Sequence, residues 1–109
     1  SKIALRVVGP LIEKSTLFPN RTNVEFVEAI SRDHLKTLVW ERGAGATLAC
    51  GSGACAVAAA ARFESRTETA VRVSLPGGDL KLEWDGKNTS SILQTGPAIE
   101  VFRGELVLN

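Results

Sequence analysis

Trp40-Glu41-Arg42-Gly43-Ala44-Gly45-Ala46-Thr47-Leu48-Ala49-Cys50-Gly51-Ser52-Gly53-Ala54-Cys55-Ala56-Val57-Ala58-Ala59-Ala60-Ala61-Arg62-Phe63 is the stretch that decides the fold. It reads as the end of a strand, a glycine-rich turn and a helix that begins at a cysteine. From Gly51 to Phe63 there is no charge before Arg62, and nearly every residue is alanine, small or apolar. A helix that is apolar on every face is normally buried on every side. Alanine has the highest helix propensity and keeps the rod thin. At roughly 20 Å, such a helix suits the inside of a curved sheet.

The start of that helix is where chemistry can occur. Its first N–H groups have no partner within the helix. They carry partial positive charge and bind anions. Gly51, Ser52 and Gly53 bring little side chain, so a ligand can approach this backbone closely. Cys50 stands at the boundary, where the same dipoles favour the thiolate and lower the expected thiol pKa. The sequence thus sets a reactive sulfur beside an anion-binding turn. One ligand could use both, with its carboxylate on the amides and the neighbouring carbon facing the sulfur.

Composition limits the alternatives. The chain has 109 residues, enough for one domain with one core. Hydrophobic residues make up 44% and charged residues 23%, which is ordinary for a globular protein. The formal net charge of +1 argues against electrostatic nucleic-acid binding. No apolar run reaches the ~20 residues that span a bilayer, so no membrane partner is expected. No secretory signal pattern is visible, and a cytoplasmic location is the default expectation. Cys50 and Cys55 lie five apart, a spacing that points two helical side chains in different directions and disfavours a disulfide. His34 is the only histidine available to complete a metal site, so no metal and no cofactor are expected. Cys55 reads most simply as a small core residue.

Outward from the central stretch, Asn23 to Ile30 and Leu35 to Trp40 alternate around Ser31-Arg32-Asp33-His34, which predicts an antiparallel hairpin. Leu35, Thr37 and Val39 share one face of its second strand. Asn23 and Glu41-Arg42 then fall at the same end of the pair, the end that receives the helix start. Ser1 to Val8 also alternates and predicts a short strand. Gly9-Pro10 ends it, with Pro10 in the first turn of a short helix to about Ser15. After the central helix, Thr69 to Leu75 and Leu80 to Trp84 flank Pro76-Gly77-Gly78-Asp79 as a hairpin. Asp85-Gly86-Lys87-Asn88 signals another turn. Strands are expected at Ile92 to Thr95 and Ala98 to Phe102, with an apolar tail at Leu106 to Leu108. The fold class is α+β: a curved, mostly antiparallel sheet, a half-barrel, wrapped around a central buried helix.

The run Glu41-Arg42-Gly43-Ala44-Gly45 followed by Thr47-Leu48-Ala49-Cys50-Gly51-Ser52-Gly53-Ala54-Cys55-Ala56 resembles the C-terminal half of diaminopimelate epimerases. The flanks agree in order: Phe18-Pro19-Asn20-Arg21-Thr22-Asn23-Val24-Glu25-Phe26, Leu75-Pro76-Gly77-Gly78, and Thr95-Gly96-Pro97-Ala98 with Val101-Phe102-Arg103-Gly104-Glu105. The resemblance covers about residues 9 to 107, with residues 1–109 as a single domain. It implies an isomerase that interconverts LL- and meso-diaminopimelate on the route to lysine, without pyridoxal phosphate. Each of two similar domains supplies one cysteine; one thiolate removes the α-proton and the other thiol protonates the opposite face. By motif position Cys50 is one catalytic member of that pair. Gly51 and Ser52 hold the α-carboxylate through backbone N–H groups. Asn23, Glu41 and Arg42 bind the distal ammonium and carboxylate. Without the family, Glu41 and Arg42 read either as that ligand pair or as a solvated ion pair at a strand end.

Two features depart from the family. The N-terminal half with its cysteine is not in these residues, nor is the asparagine-proline-histidine stretch that precedes this region in the family. Three arrangements remain: one half of a longer enzyme, which is the expected one; a domain that pairs with a second copy of itself; or an inactive carboxylate-binding module. A Cys50–Cys55 redox couple and the related proline-racemase-like and phenazine-type isomerases are the competing activities. An isolated half is expected to expose apolar edge surface and to associate.

Overall fold

The computed structural model describes residues 3–109. In chain order the elements are α1 (Leu5–Glu13), β1 (Val24–Ser31), β2 (His34–Glu41), β3 (Gly45–Ala46), α2 (Gly51–Phe63), β4 (Ala70–Leu75), β5 (Gly78–Glu83) and β6 (Leu93–Thr95). The strands form one mixed sheet in the order β1-β2-β4-β5-β6, with the short β3 paired to the end of β2. β2 and β4 run parallel and every other pair is antiparallel. The parallel pair follows from the connection: β2 and β4 are joined through α2, which returns the chain to the starting end of the sheet.

Period-two patterning builds the inner face. Leu35, Thr37 and Val39 of β2 and Val71, Val73 and Leu75 of β4 are buried on the same side. They meet Ala54, Val57, Ala58 and Ala61 of α2, and Leu82 of β5 completes the cluster. Burying a valine or leucine here contributes about 1.5–3 kcal/mol each. Alanines on the contacting face let the helix axis lie close to the sheet. The opposite face of α2 is open: Ala56, Ala60 and Phe63 are exposed. All-round apolar character thus meets burial on one side only, because the sheet is not closed around the helix. A groove of about 430 Å³ runs between β1 and this open side, from Glu25 past Val27, Ala56 and Ala60 to Glu64 and Arg66.

The outer face carries α1. The expected strand over residues 1–8 is corrected: residues 1–2 lie outside the described residues, and Leu5 to Val8 belong to a helix. Leu5, Val8, Gly9, Ile12 and Glu13 recur at helical spacing, and that period outweighs the short alternation before it. The expected helix start at Pro10 is corrected too, since Pro10 lies inside α1. Gly9 permits the docking. A Cβ there would sit 2.5 Å from Trp40 Cγ, so the indole lies directly against the helix backbone. Trp40 Nε1 then donates to Glu13 Oε2 at 2.7 Å.

Two further expectations change at the C-terminal side. Asp85 to Asn88 is part of a longer loop between β5 and β6, not a tight hairpin; Asp85 accepts from Lys87 N and Ser90 Oγ, each at 2.8 Å. Ala98 to Phe102 forms no strand. Ile99, Val101 and Phe102 are more than 80% exposed, as are Leu106, Val107 and Leu108. A strand needs a neighbour for its backbone, and none of the described residues supplies one. The radius of gyration, 16.0 Å, exceeds the ~13 Å of a compact chain of this length, as an outlying tail requires.

Candidate active site

α2 begins where the sequence places it. Cys50 is the N-cap, with extended backbone (φ −147°, ψ 109°), and its Sγ accepts from Gly53 N at 3.4 Å. A sulfur acceptor thus replaces the usual hydroxyl or carboxylate cap. Ser52 Oγ lies 3.5 Å from the same sulfur. The thiol is 8% exposed, whereas Gly51 and Ser52 beside it are open to solvent. Their amides are first-turn groups that the helix itself leaves unpaired.

The preceding segment is held at both ends. Gly43 and Gly45 take positive φ (78° and 75°) in the turn that folds β3 back onto β2. Gly77 N donates to Leu48 O at 2.7 Å, so the β4–β5 turn braces the approach to Cys50.

At the open end of the β1–β2 hairpin, Asn23 and Arg42 come together: Arg42 N donates to Asn23 Oδ1 at 2.8 Å. The Arg42 guanidinium donates to Asn20 O at 3.1 Å and is otherwise exposed. Glu41 follows Val39 by two residues and so shares the inner face of β2. Cys55 is a free thiol whose Sγ contacts Gln94 Oε1 at 3.5 Å; it packs at the edge of the core.

Two residues at the helix mouth were not foreseen. Gln94 of β6 brings its side-chain amide to Gly51, with Nε2 3.0 Å from where a Cβ would stand. Nothing in the local pattern announces this, because the register of β6 decides it. Glu25 is the second. It pairs with Val39 across the β1–β2 ladder and therefore points inward with it. Its Oε1 is 2.6 Å from the position of a Cβ on Gly53, and Cys50 Sγ is 3.2 Å from that same position. Burial pushes the Glu25 carboxyl above its ordinary value, and the charge of Glu41 adds to the effect. Val27, apolar where the alternation of Val24 and Phe26 calls for a polar residue, is the signal the sequence offers.

Comparison with known proteins is decisive at this point. The family model for diaminopimelate epimerase matches residues 1–101. The chain belongs to the diaminopimelate epimerase family. It is 53% identical over 103 residues to the diaminopimelate epimerase of Synechococcus sp. strain JA-2-3B'a(2-13), covering 94% of this chain and 36% of that protein. It is 55% identical over 105 residues to the chloroplastic enzyme of Oryza sativa subsp. japonica, covering 96% and 29%. With the Moorella thermoacetica protein it shares 50% over 102 residues, covering 94% and 36%. The chain thus spans about a third of the length of these epimerase-family relatives. No described helix is long and apolar enough to cross a membrane.

Proposed function

We propose that this chain is the thiol-bearing, carboxylate-binding part of a cofactor-independent diaminopimelate epimerase. The observation that carries this reading is the position of Cys50: its sulfur caps α2 next to the exposed first-turn amides of Gly51 and Ser52. The α-hydrogen of an amino acid is a weak acid. Its removal builds negative charge on the adjacent carboxylate, and first-turn amides are aimed to stabilise such charge. Gly51 and Ser52 hold the α-carboxylate. Asn23, Glu41 and Arg42 receive the distal ammonium and carboxylate.

The step is a proton exchange. A thiolate takes the α-proton, so the C–H bond breaks, an S–H bond forms, and the electron pair passes into the carboxylate system. A thiol on the opposite face returns a proton to carbon and becomes the thiolate. Inversion needs an acid and a base on opposite faces of one carbon. Cys50 supplies one face. Cys55 is more than a turn deeper in α2 and is turned toward Gln94, so the second sulfur comes from outside these residues. The exposed tail and the open side of α2 support association with the rest of a longer enzyme, or with a second copy of this chain.

The test is reconstitution. The chain is mixed with the N-terminal two-thirds of the Moorella thermoacetica relative, and formation of the meso isomer from LL-diaminopimelate is followed. Conversion that Cys50→Ala abolishes supports the reading. Binding of diaminopimelate without conversion, unaffected by Cys50→Ala, supports instead an inactive carboxylate-binding domain.

A further inference from the structure

A carboxylate directed at a helix mouth beside a thiol is a local conflict. Glu25 faces α2 because its ladder partner is Val39, which is wholly buried on that face. Its side chain forms no hydrogen bond or ion pair with any described residue. The charged neighbour acting on it is Glu41, another carboxylate. A half-buried acid without a partner is costly, and such violations of patterning concentrate at functional sites. Gly53 clears the space: any Cβ there would collide with Glu25 Oε1 and press on Cys50 Sγ.

We propose that Glu25 is a positioning residue for the Cys50 proton: its carboxyl and the thiol share one site above Gly53, and ionisation of either opposes ionisation of the other. The groups facing the sulfur divide into two sets. Gly53 N and the first-turn amides of α2 favour thiolate, with Ser52 Oγ as a neutral neighbour. Glu25 from β1 disfavours it, and Glu41 from β2 acts on Glu25, opposing ionisation of that carboxyl. Glu64 and Arg66 lie at the far end of the groove that begins at Glu25. A charge on Glu25 opposes loss of the Cys50 proton, because both groups border the space over Gly53. In the proposed reaction this favours Cys50 as the proton donor of its pair. This role rests on the epimerase reading; the electrostatic coupling does not.

The experiment uses the 109-residue chain with Cys55→Ala, so that thiolate ultraviolet absorbance reports Cys50 alone. Thiolate formation is titrated against pH with and without Glu25→Gln, with circular dichroism checking the fold. Coupling of this kind shifts the midpoint down by about half to one pH unit, or roughly three- to ten-fold more thiolate at a fixed pH below both midpoints. Glu25→Asp, which withdraws the charge by one methylene, is expected to give a smaller shift in the same direction, and it serves if Glu25→Gln does not fold. Coincident titrations for the folded variants overturn the proposal. Reconstituted epimerase activity is read separately, so failure of the coupling and failure of the epimerase reading are distinguishable.

Discussion

The backbone N–H of Arg42 donates to Oδ1 of Asn23 at 2.8 Å, joining the first residue before β1 to the first residue after β2. Two residues proposed to bind the distal end of the substrate thereby hold each other in place without using the Arg42 guanidinium for the purpose. Asn23→Ala removes the acceptor at an exposed site and is expected to cost about 1 kcal/mol, read as a lower urea midpoint with unchanged slope. Asn23→Asp keeps an acceptor and is expected to retain most of that stability. In the reconstituted enzyme both variants raise KM, because neither offers the amide donor. Equal urea midpoints for Asn23→Ala and the parent chain would show that the hairpin end closes without this bond.

Gly9 and Trp40 test the docking of α1. Alanine improves helix propensity over glycine by about 1 kcal/mol. A Cβ at residue 9 would stand 2.5 Å from Trp40 Cγ, however, and overpacking of this kind costs about 1–3 kcal/mol. The clash outweighs the propensity gain because the neighbour is a rigid ring backed by β2. Gly9→Ala is expected to lower the melting temperature and red-shift Trp40 emission in a Trp84→Phe background. A higher melting temperature would show that α1 is not seated on the indole.

Glu13 makes that docking sensitive to acid. The Trp40 indole N–H bonded to its carboxylate holds the group below its ordinary value of 4.5, helped by Gly43 N and the charges of Arg21 and Lys14. A depressed folded value means that the stabilisation is complete above the unfolded value and is lost as pH falls through the folded one. Loosening of α1 is therefore expected below about pH 4.5, followed by Trp40 fluorescence in the Trp84→Phe background. Glu13→Gln keeps an acceptor for the indole and flattens the profile. An unchanged acid transition in Glu13→Gln would assign it to other carboxylates.

Much of this site is visible in the residues themselves. Cys50 as N-cap, Gly51 to Phe63 as helix and the meeting of Asn23 with Glu41-Arg42 at one hairpin end all follow from local patterns, since caps, turns and period-two faces are short-range properties. The side chains of β1 are less legible. Val24 and Phe26 resemble core positions, yet Glu25, Val27 and Ala29 face the groove beside α2. Val24 lies opposite Trp40 in the ladder and is buried on the outer side, where α1 docks. With a helix on each side of the sheet, apolar residues are needed on both faces and alternation loses its direction. The tail is illegible for a different reason. Ile99, Val101 and Glu100 alternate as a strand does, but pairing belongs to two strands, and none of the described residues supplies the second.

That tail carries a prediction of its own. The exposed side chains of Ile99, Val101, Phe102, Leu106, Val107 and Leu108 fall in two short apolar clusters separated by Arg103-Gly104-Glu105, more exposed apolar surface than a stable monomer ordinarily leaves uncovered. The chain alone is expected to self-associate as concentration rises, and removal of residues 98–109 to suppress this while leaving the core transition in place. Light scattering and a urea transition on the same samples check both halves. Association that persists in the truncated chain would shift attention to the open edges at β1 and β6.

Solvent exchange reads the part of the Cys50 sulfur in α-proton transfer most directly. Diaminopimelate is incubated in deuterated water with the chain and the N-terminal two-thirds of the Moorella thermoacetica relative, and α-deuterium is followed by mass. Incorporation is predicted with the parent chain and with Cys55→Ala, and at least 10²-fold less with Cys50→Ala. Full incorporation in Cys50→Ala, or loss in Cys55→Ala with the fold intact, would contradict the assignment of the proton to Cys50.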